Sequence, residues 1–237
     1  MKTFRAKRGP FTEQPFYESG EIESICTTEL QKVGLYPSDP EPIRIDRFIE
    51  KRFGIVPTYD ELPEGLLGFT KFGSQGVEEI VVARSLDEEG TRPAERRLRT
   101  TLAHEGGHGL LHAHLFVLDP RPVSLFGDGI APNAPKILCR EGGVSGVEAP
   151  GAKPPYRWYE FQANKAMAAL LLPKALVEKA LSSVLERQGL LGLSSLPSNY
   201  RESAARLLTA TFDVNPVVAR LRLDALFPPA ADAQLTL

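Results

Sequence analysis

Apolar positions recur at helical spacing from Glu18 to Val33, where Ile22, Ile25, Cys26, Leu30 and Val33 form one stripe and predict an amphipathic helix. A Pro-rich linker, YPSDPEP, separates it from IRIDRFIEKRFGI. There Ile45, Phe48 and Ile49 repeat the helical period, and Gly54 marks the stop. The period then changes. LLGFTKFG and VEEIVVAR read as two strands joined by a Gly-Ser-Gln-Gly turn, an antiparallel hairpin. Helical spacing returns in TRPAERRLRTTLAHEGGHGLLHAHLF, with Thr91 as the cap and Pro93 in the first turn. From Asp119 to Arg157 the chain is rich in Pro and Gly, with one short apolar run, KILC; a stretch this long without periodicity marks a functional loop or an insertion. Helix resumes in YRWYEFQANKAMAALLL and stops at Pro173, and KALVEKALSSVLERQ is expected to form another. NYRESAARLLTA and PVVARLRLDAL close the pattern as two short helices joined by TFDVN, with Asn215 capping the second and Pro216 beginning it.

The order of elements predicts an α+β fold, mostly α, with a small antiparallel β unit and a C-terminal helical pair. Three segments are expected: a tail and helix over 1–40, a core over 41–197 that carries the 119–157 insertion, and a helix-turn-helix-like pair over 198–237. Composition adds few constraints. A chain of 237 residues, 42% hydrophobic and 24% charged, is ordinary for a globular protein. The net charge of −2 gives no overall pull towards nucleic acid or an anionic membrane. No run approaches the roughly 20 apolar residues of a membrane helix. The basic N-terminus MKTFRAKRGPF lacks an apolar stretch and reads as a tail, not a signal peptide. Cys26 and Cys139 are far apart and form no CxxC pair, so reduced thiols and a cytoplasmic setting are expected.

All four histidines lie within TTLAHEGGHGLLHAH, at 104, 108, 112 and 114. His104-Glu105-Gly106-Gly107-His108 is an HExxH, which on a helix sets two imidazoles one turn apart on one face, suited to gripping one zinc ion. Glu105, one position along, can then serve as general base. The glycines at 106, 107 and 109 predict close packing against this helix. A catalytic zinc needs a third ligand. His114 matches a metzincin spacing, but position 111 is Leu, not the Gly at which that helix breaks; on a continuous helix His114 points away. His112 lies on the right face but a turn too far, and reads as a core or pocket-edge residue. The third ligand should therefore be a carboxylate or Cys139. Glu160 stands out because Ala163, Ala166, Ala168 and Ala169 would let its helix approach another closely. Asn164, on the same face, would hydrogen-bond a ligand. The donor set suits zinc and also accommodates manganese.

HEGGH at 104–108, Glu160-Phe-Gln-Ala163-Asn164 and LLLP at 170–173, in that order, resemble the ImmA/IrrE metallo-endopeptidases over roughly residues 40–225. The resemblance implies a zincin-like core with His104, His108 and Glu160 as ligands and Glu105 as the catalytic residue. It also implies a protein substrate, a helix-turn-helix repressor whose cleavage relieves repression of stress-response or mobile-element genes. The 52 residues from His108 to Glu160 exceed the family spacing. Tyr156, Arg157, Tyr159 and His112 all remain open as oxyanion donors. Two other functions compete: a DNA-binding regulator using Arg220 and Arg222 of the last helix, and a zinc-bound docking protein without catalysis. Few basic residues speak for the first, and an intact Glu105 speaks against the second.

Overall fold

The computed structural model describes residues 2–5, 13–118, 136–140, 154–188 and 193–228, with side chains over 15–115, 158–187 and 194–228. An N-terminal hairpin of β1 (Lys2–Arg5) and β2 (Glu13–Phe16) leads into α1 (Ser19–Lys32). α1 starts with a capping box, in which the Glu18 backbone N–H donates to the Glu21 carboxylate at 2.9 Å. α2 (Ile45–Phe53) buries Ile45, Phe48 and Ile49 and ends at Gly54, whose φ of 73° is the left-handed conformation glycine adopts without steric cost.

Four strands form the main sheet: β3 (Thr58–Asp60), β4 (Leu66–Gly73), β5 (Gly76–Ala83) and β6 (Lys136–Arg140). Their order is β3-β5-β4-β6. The expected hairpin is present, pairing Gly68 with Val82 and Thr70 with Ile80. The sheet is nevertheless mixed, because β3 runs parallel to β5. Three residues that alternate between exposed and half-buried positions give too short a pattern to announce this strand. The KILC run inside the expected insertion becomes β6, antiparallel to β4.

After the short α3 (Arg84–Glu88), α4 (Arg92–Leu118) crosses the core as its longest helix. Thr91 Oγ1 accepts from the Ala94 N–H at 3.3 Å, the expected cap. α4 lies between β4 and α5 (Pro154–Leu171). Both approaches depend on missing side chains. A Cβ at Gly68 would sit 2.9 Å from Thr101 Cγ2, and one at Gly107 would sit 3.0 Å from the Ala166 Cβ and 3.1 Å from the Ala163 carbonyl oxygen. The small residues of α4 and α5 thus meet each other, as the sequence predicts.

The helix expected over KALVEKALSSVLERQ is shorter than its periodicity suggests. α6 covers only Lys174–Ala180; turns follow, then β7 (Glu186–Gln188), paired with β8 (Leu193–Ser195). Ser182 and Ser183 are poor helix formers, and the Ser182 N–H reaches back only three residues, to the Lys179 carbonyl. α7 (Arg201–Phe212) and α8 (Pro216–Leu226) form the C-terminal pair, with Asn215 Oδ1 accepting from the Val217 N–H at 2.9 Å. One buried cluster includes Ile22 and Cys26 of α1, Phe48 of α2, Val82 of β5, Leu102 of α4, Leu170 of α5 and Leu208 and Leu223 of the last pair. The fold is α+β and mostly helical. Among the described residues, no helix is long and apolar enough to cross a membrane.

Candidate metal centre

Helical spacing alone brings the His104 and His108 rings together edge to face, 4.7 Å between centroids, with their Nε2 atoms 3.0 Å apart. α5 runs antiparallel to α4 across the Gly107 contact and brings up Glu160. One Glu160 oxygen lies 3.1 Å from His104 Nε2 and the other 3.4 Å from His108 Nε2. Among the described residues these three side chains form one group that could hold a metal ion, with donor atoms all within 4.8 Å of one another. Both histidines are fully buried, while the Glu160 side chain is 24% exposed.

Asn164, one turn after Glu160, places Oδ1 3.0 Å from His104 Nδ1. His104 therefore has its second ring nitrogen engaged and Nε2 directed at the cluster, the usual arrangement of a ligating histidine. His112 is buried behind His108, with 2.9 Å between their Nδ1 atoms and 3.3 Å from His112 Nε2 to Gln162 Oε1. This is the core position expected of His112, on the side of His108 away from Glu160. His114 is half-buried and stands outside the group. Of the expected oxyanion donors, Tyr159 is buried edge-on to the His112 ring, at 4.9 Å between centroids. The side chains of Tyr156, Arg157 and Cys139 lie outside the described residues.

Two contacts escaped the sequence reading. Thr70, fully buried on β4, places its hydroxyl 2.5 Å from one oxygen of Glu105 and 3.1 Å from the Glu105 carbonyl. The clue was the inward row of β4, Leu66, Gly68, Thr70 and Phe72, in which Thr70 is the one side chain with a polar atom. Gln162, the second, sits between Glu160 and Asn164 on α5 and carries no local signal. Turned over, its amide donates to His112 Nε2 at 3.3 Å and accepts from the Tyr17 N–H at 3.0 Å and the Trp158 Nε1–H at 3.3 Å.

The two carboxylates are driven in opposite directions. Burial lifts the Glu105 carboxyl to about 8, and neither the nearby His104 nor the Thr70 hydroxyl reverses it. Its Oε1 has no hydrogen-bond partner among the described residues. Burial also pushes Glu160 upward, but His104 and His108 together hold it well below the ordinary carboxylate range. Burial lowers His108 despite the opposing pull of Glu160, and lowers His112 further. A carboxyl that holds a proton at neutral pH beside one that remains ionised is a division of labour common in acid–base sites. The chain matches no family model, and no curated protein matches it.

Proposed function

We propose that the protein is a zinc-dependent endopeptidase of the ImmA/IrrE type with a zincin-like core. The observation that carries this reading is the convergence of His104 Nε2, His108 Nε2 and the Glu160 carboxylate next to a buried Glu105 held by Thr70. Two imidazoles and one carboxylate suit zinc and accommodate manganese. That Glu105 Oε1 has no donor among the described residues is further support, because a buried carboxylate oxygen rarely goes without one unless function requires it.

His104, His108 and Glu160 would hold the ion. When bound, zinc supplies Lewis acidity that polarises a peptide carbonyl and makes water acidic enough to attack at neutral pH. Beside a bound cation, Glu105 would favour its ionised form over the protonated one that burial alone favours. With Thr70 fixing one oxygen, the other is left to take the proton of the attacking water. Glu105 then returns that proton to the departing amine, as a single group of suitable pKa can. Asn164 holds His104 in the tautomer whose Nε2 is bare.

The substrate assignment rests on the resemblance: one helix-turn-helix repressor, cut at one place, with release of stress-response or mobile-element genes. Of the two arginines of the rival DNA-binding reading, only Arg220 is exposed. Arg222 is buried, donating to the Leu172 carbonyl at 2.9 Å and to the Glu23 carboxylate at 2.7 and 2.6 Å, and Arg220 pairs with Glu202 at 2.9 Å.

Metal analysis of the wild type beside Glu160→Ala and Glu105→Gln tests the site. Zinc should be retained in the wild type and Glu105→Gln and lost in Glu160→Ala, and only the wild type should cleave a helix-turn-helix repressor. Full zinc retention in Glu160→Ala would remove Glu160 from the ligand set. Rapid digestion of casein with candidate repressors left intact would overturn the narrow specificity.

A further inference from the structure

A histidine that binds through Nε2 must carry its proton on Nδ1, so the group facing Nδ1 decides whether the ring is ready to bind. At His104 that group is an amide oxygen, which can only accept and so enforces the binding tautomer. At His108 it is another imidazole, His112, which can either donate or accept. Only one proton fits between two Nδ1 atoms 2.9 Å apart. The tautomer of His108 is therefore set from behind, by whatever His112 Nε2 meets, and that is the reversible amide of Gln162.

Two arrangements satisfy this row. In one, the Gln162 amide nitrogen donates to His112 Nε2 while its oxygen accepts from the Tyr17 N–H and the Trp158 Nε1–H. His112 then donates from Nδ1 to His108, and the His108 proton sits on Nε2, facing Glu160. In the other, His108 donates from Nδ1 to His112, His112 donates from Nε2 to the Gln162 oxygen, and the Gln162 nitrogen turns towards the Pro15 carbonyl at 3.5 Å. His108 Nε2 is then bare. Each state holds two ring protons, one on each histidine, so the exchange relocates protons without gaining or losing any. The first gives Gln162 better hydrogen bonds; the second frees a ligand atom.

We propose that His112 and Gln162 are positioning residues that form a two-direction hydrogen-bond relay behind His108, and that a bound metal selects the direction in which His108 Nε2 is bare. This rests on the metal-site reading above. It separates the two histidines of the HEGGH turn: His104 is held ready by Asn164, whereas His108 must be switched, at the expense of the Tyr17 and Trp158 contacts.

Gln162→Glu separates a relay from a merely structural contact. A carboxylate there accepts from His112 Nε2–H with one oxygen and from Tyr17 and Trp158 with the other, so the ready direction keeps those contacts and gives up only the 3.5 Å approach to the Pro15 carbonyl. The full-length wild type, Gln162→Glu and His112→Phe would be titrated with zinc against a competing chelator. Their histidines, four in the wild type and Gln162→Glu and three in His112→Phe, would be followed by nitrogen NMR, which distinguishes a proton on Nδ1 from one on Nε2. His112→Phe should weaken zinc binding about 10- to 100-fold, the range expected on loss of a ligand's hydrogen-bond partner, and Gln162→Glu should tighten it. In the wild type the His108 proton should move from Nε2 to Nδ1 on zinc addition; in Gln162→Glu it should be on Nδ1 from the start. Affinities equal to the wild type in both variants, weaker binding in both, or a wild-type His108 proton already on Nδ1 without zinc would each overturn the relay. Absence of zinc binding by the wild type would overturn the metal reading and the relay with it. If His112→Phe fails to fold, Gln162→Glu and the wild-type spectra still decide.

Discussion

Gly106 and Gly107 follow one another in α4, yet a methyl group added at each meets different surroundings. At Gly107 it would press on the Ala163 backbone and the Ala166 side chain, whereas at Gly106 the nearest atom is Ile49 Cγ1 at 3.8 Å. Gly107→Ala should therefore lower stability by about 1–3 kcal/mol, the usual cost of overpacking. Gly106→Ala should raise it by up to about 1 kcal/mol through helix propensity. Denaturant melts of the two variants check both signs. Thr70→Val should weaken the fold by about 1–3 kcal/mol, because a buried Glu105 oxygen loses its hydroxyl donor. At this scale the sequence was legible wherever a role depends on spacing along one helix. His104 and His108 belong together because they are four apart, and Asn164 follows Glu160 by the same interval. Thr70 and Gln162 were not legible, since their roles come from partners 35 and 50 positions away.

Element ends were readable where a single residue bounds a helix: Thr91, Gly54, Pro173 and Asn215 each stand where the sequence puts them. Elements defined only by neighbours were not. β3 exists because β5 offers it an edge, and the helical period in KALVEKALSSVLERQ continues past the point where the backbone leaves the helix. The joint between α4 and α7 is likewise tertiary. Asp213, at a φ of 52°, accepts from Arg96 at 2.8 Å, Arg92 at 3.0 Å and Arg99 at 3.2 Å. Burial raises its pKa, but the three arginines outweigh this and hold it below its ordinary 3.8. A carboxylate lowered in this way adds stability that is fully present above the unfolded value, near pH 4, and is lost as pH falls through the folded value. Asp213→Asn keeps a residue that tolerates left-handed backbone and removes the charge. It should cost about 1 kcal/mol at pH 7 and make the unfolding free energy less steep below pH 4. Melting curves from pH 7 to pH 2 measure both.

Over the whole molecule, the α+β class followed from the alternation of helical and strand periods, but its closure did not. Glu23 of α1 reaches Arg222 of α8 at 2.6 Å and the Lys174 N–H at the start of α6 at 2.8 Å, joining parts of the chain nearly 200 positions apart. No local pattern announces such a bond. If the two-helix site holds zinc, free metal at 100 times its dissociation constant should stabilise the fold by about 2.7 kcal/mol, visible as a raised Tm that a chelator reverses and Glu160→Ala abolishes. The placement of the donors on α4 and α5 also has a consequence in time. Glu160 leaves the ribosome 52 residues after His108, an interval of roughly 3–10 s at about 5–20 residues per second. Throughout that interval the nascent chain presents a pair of histidines with neither the carboxylate nor the alanine face that completes them. If the site holds a metal, its full donor set exists only once synthesis has passed α5, and an ion taken up earlier would be held by the two histidines alone.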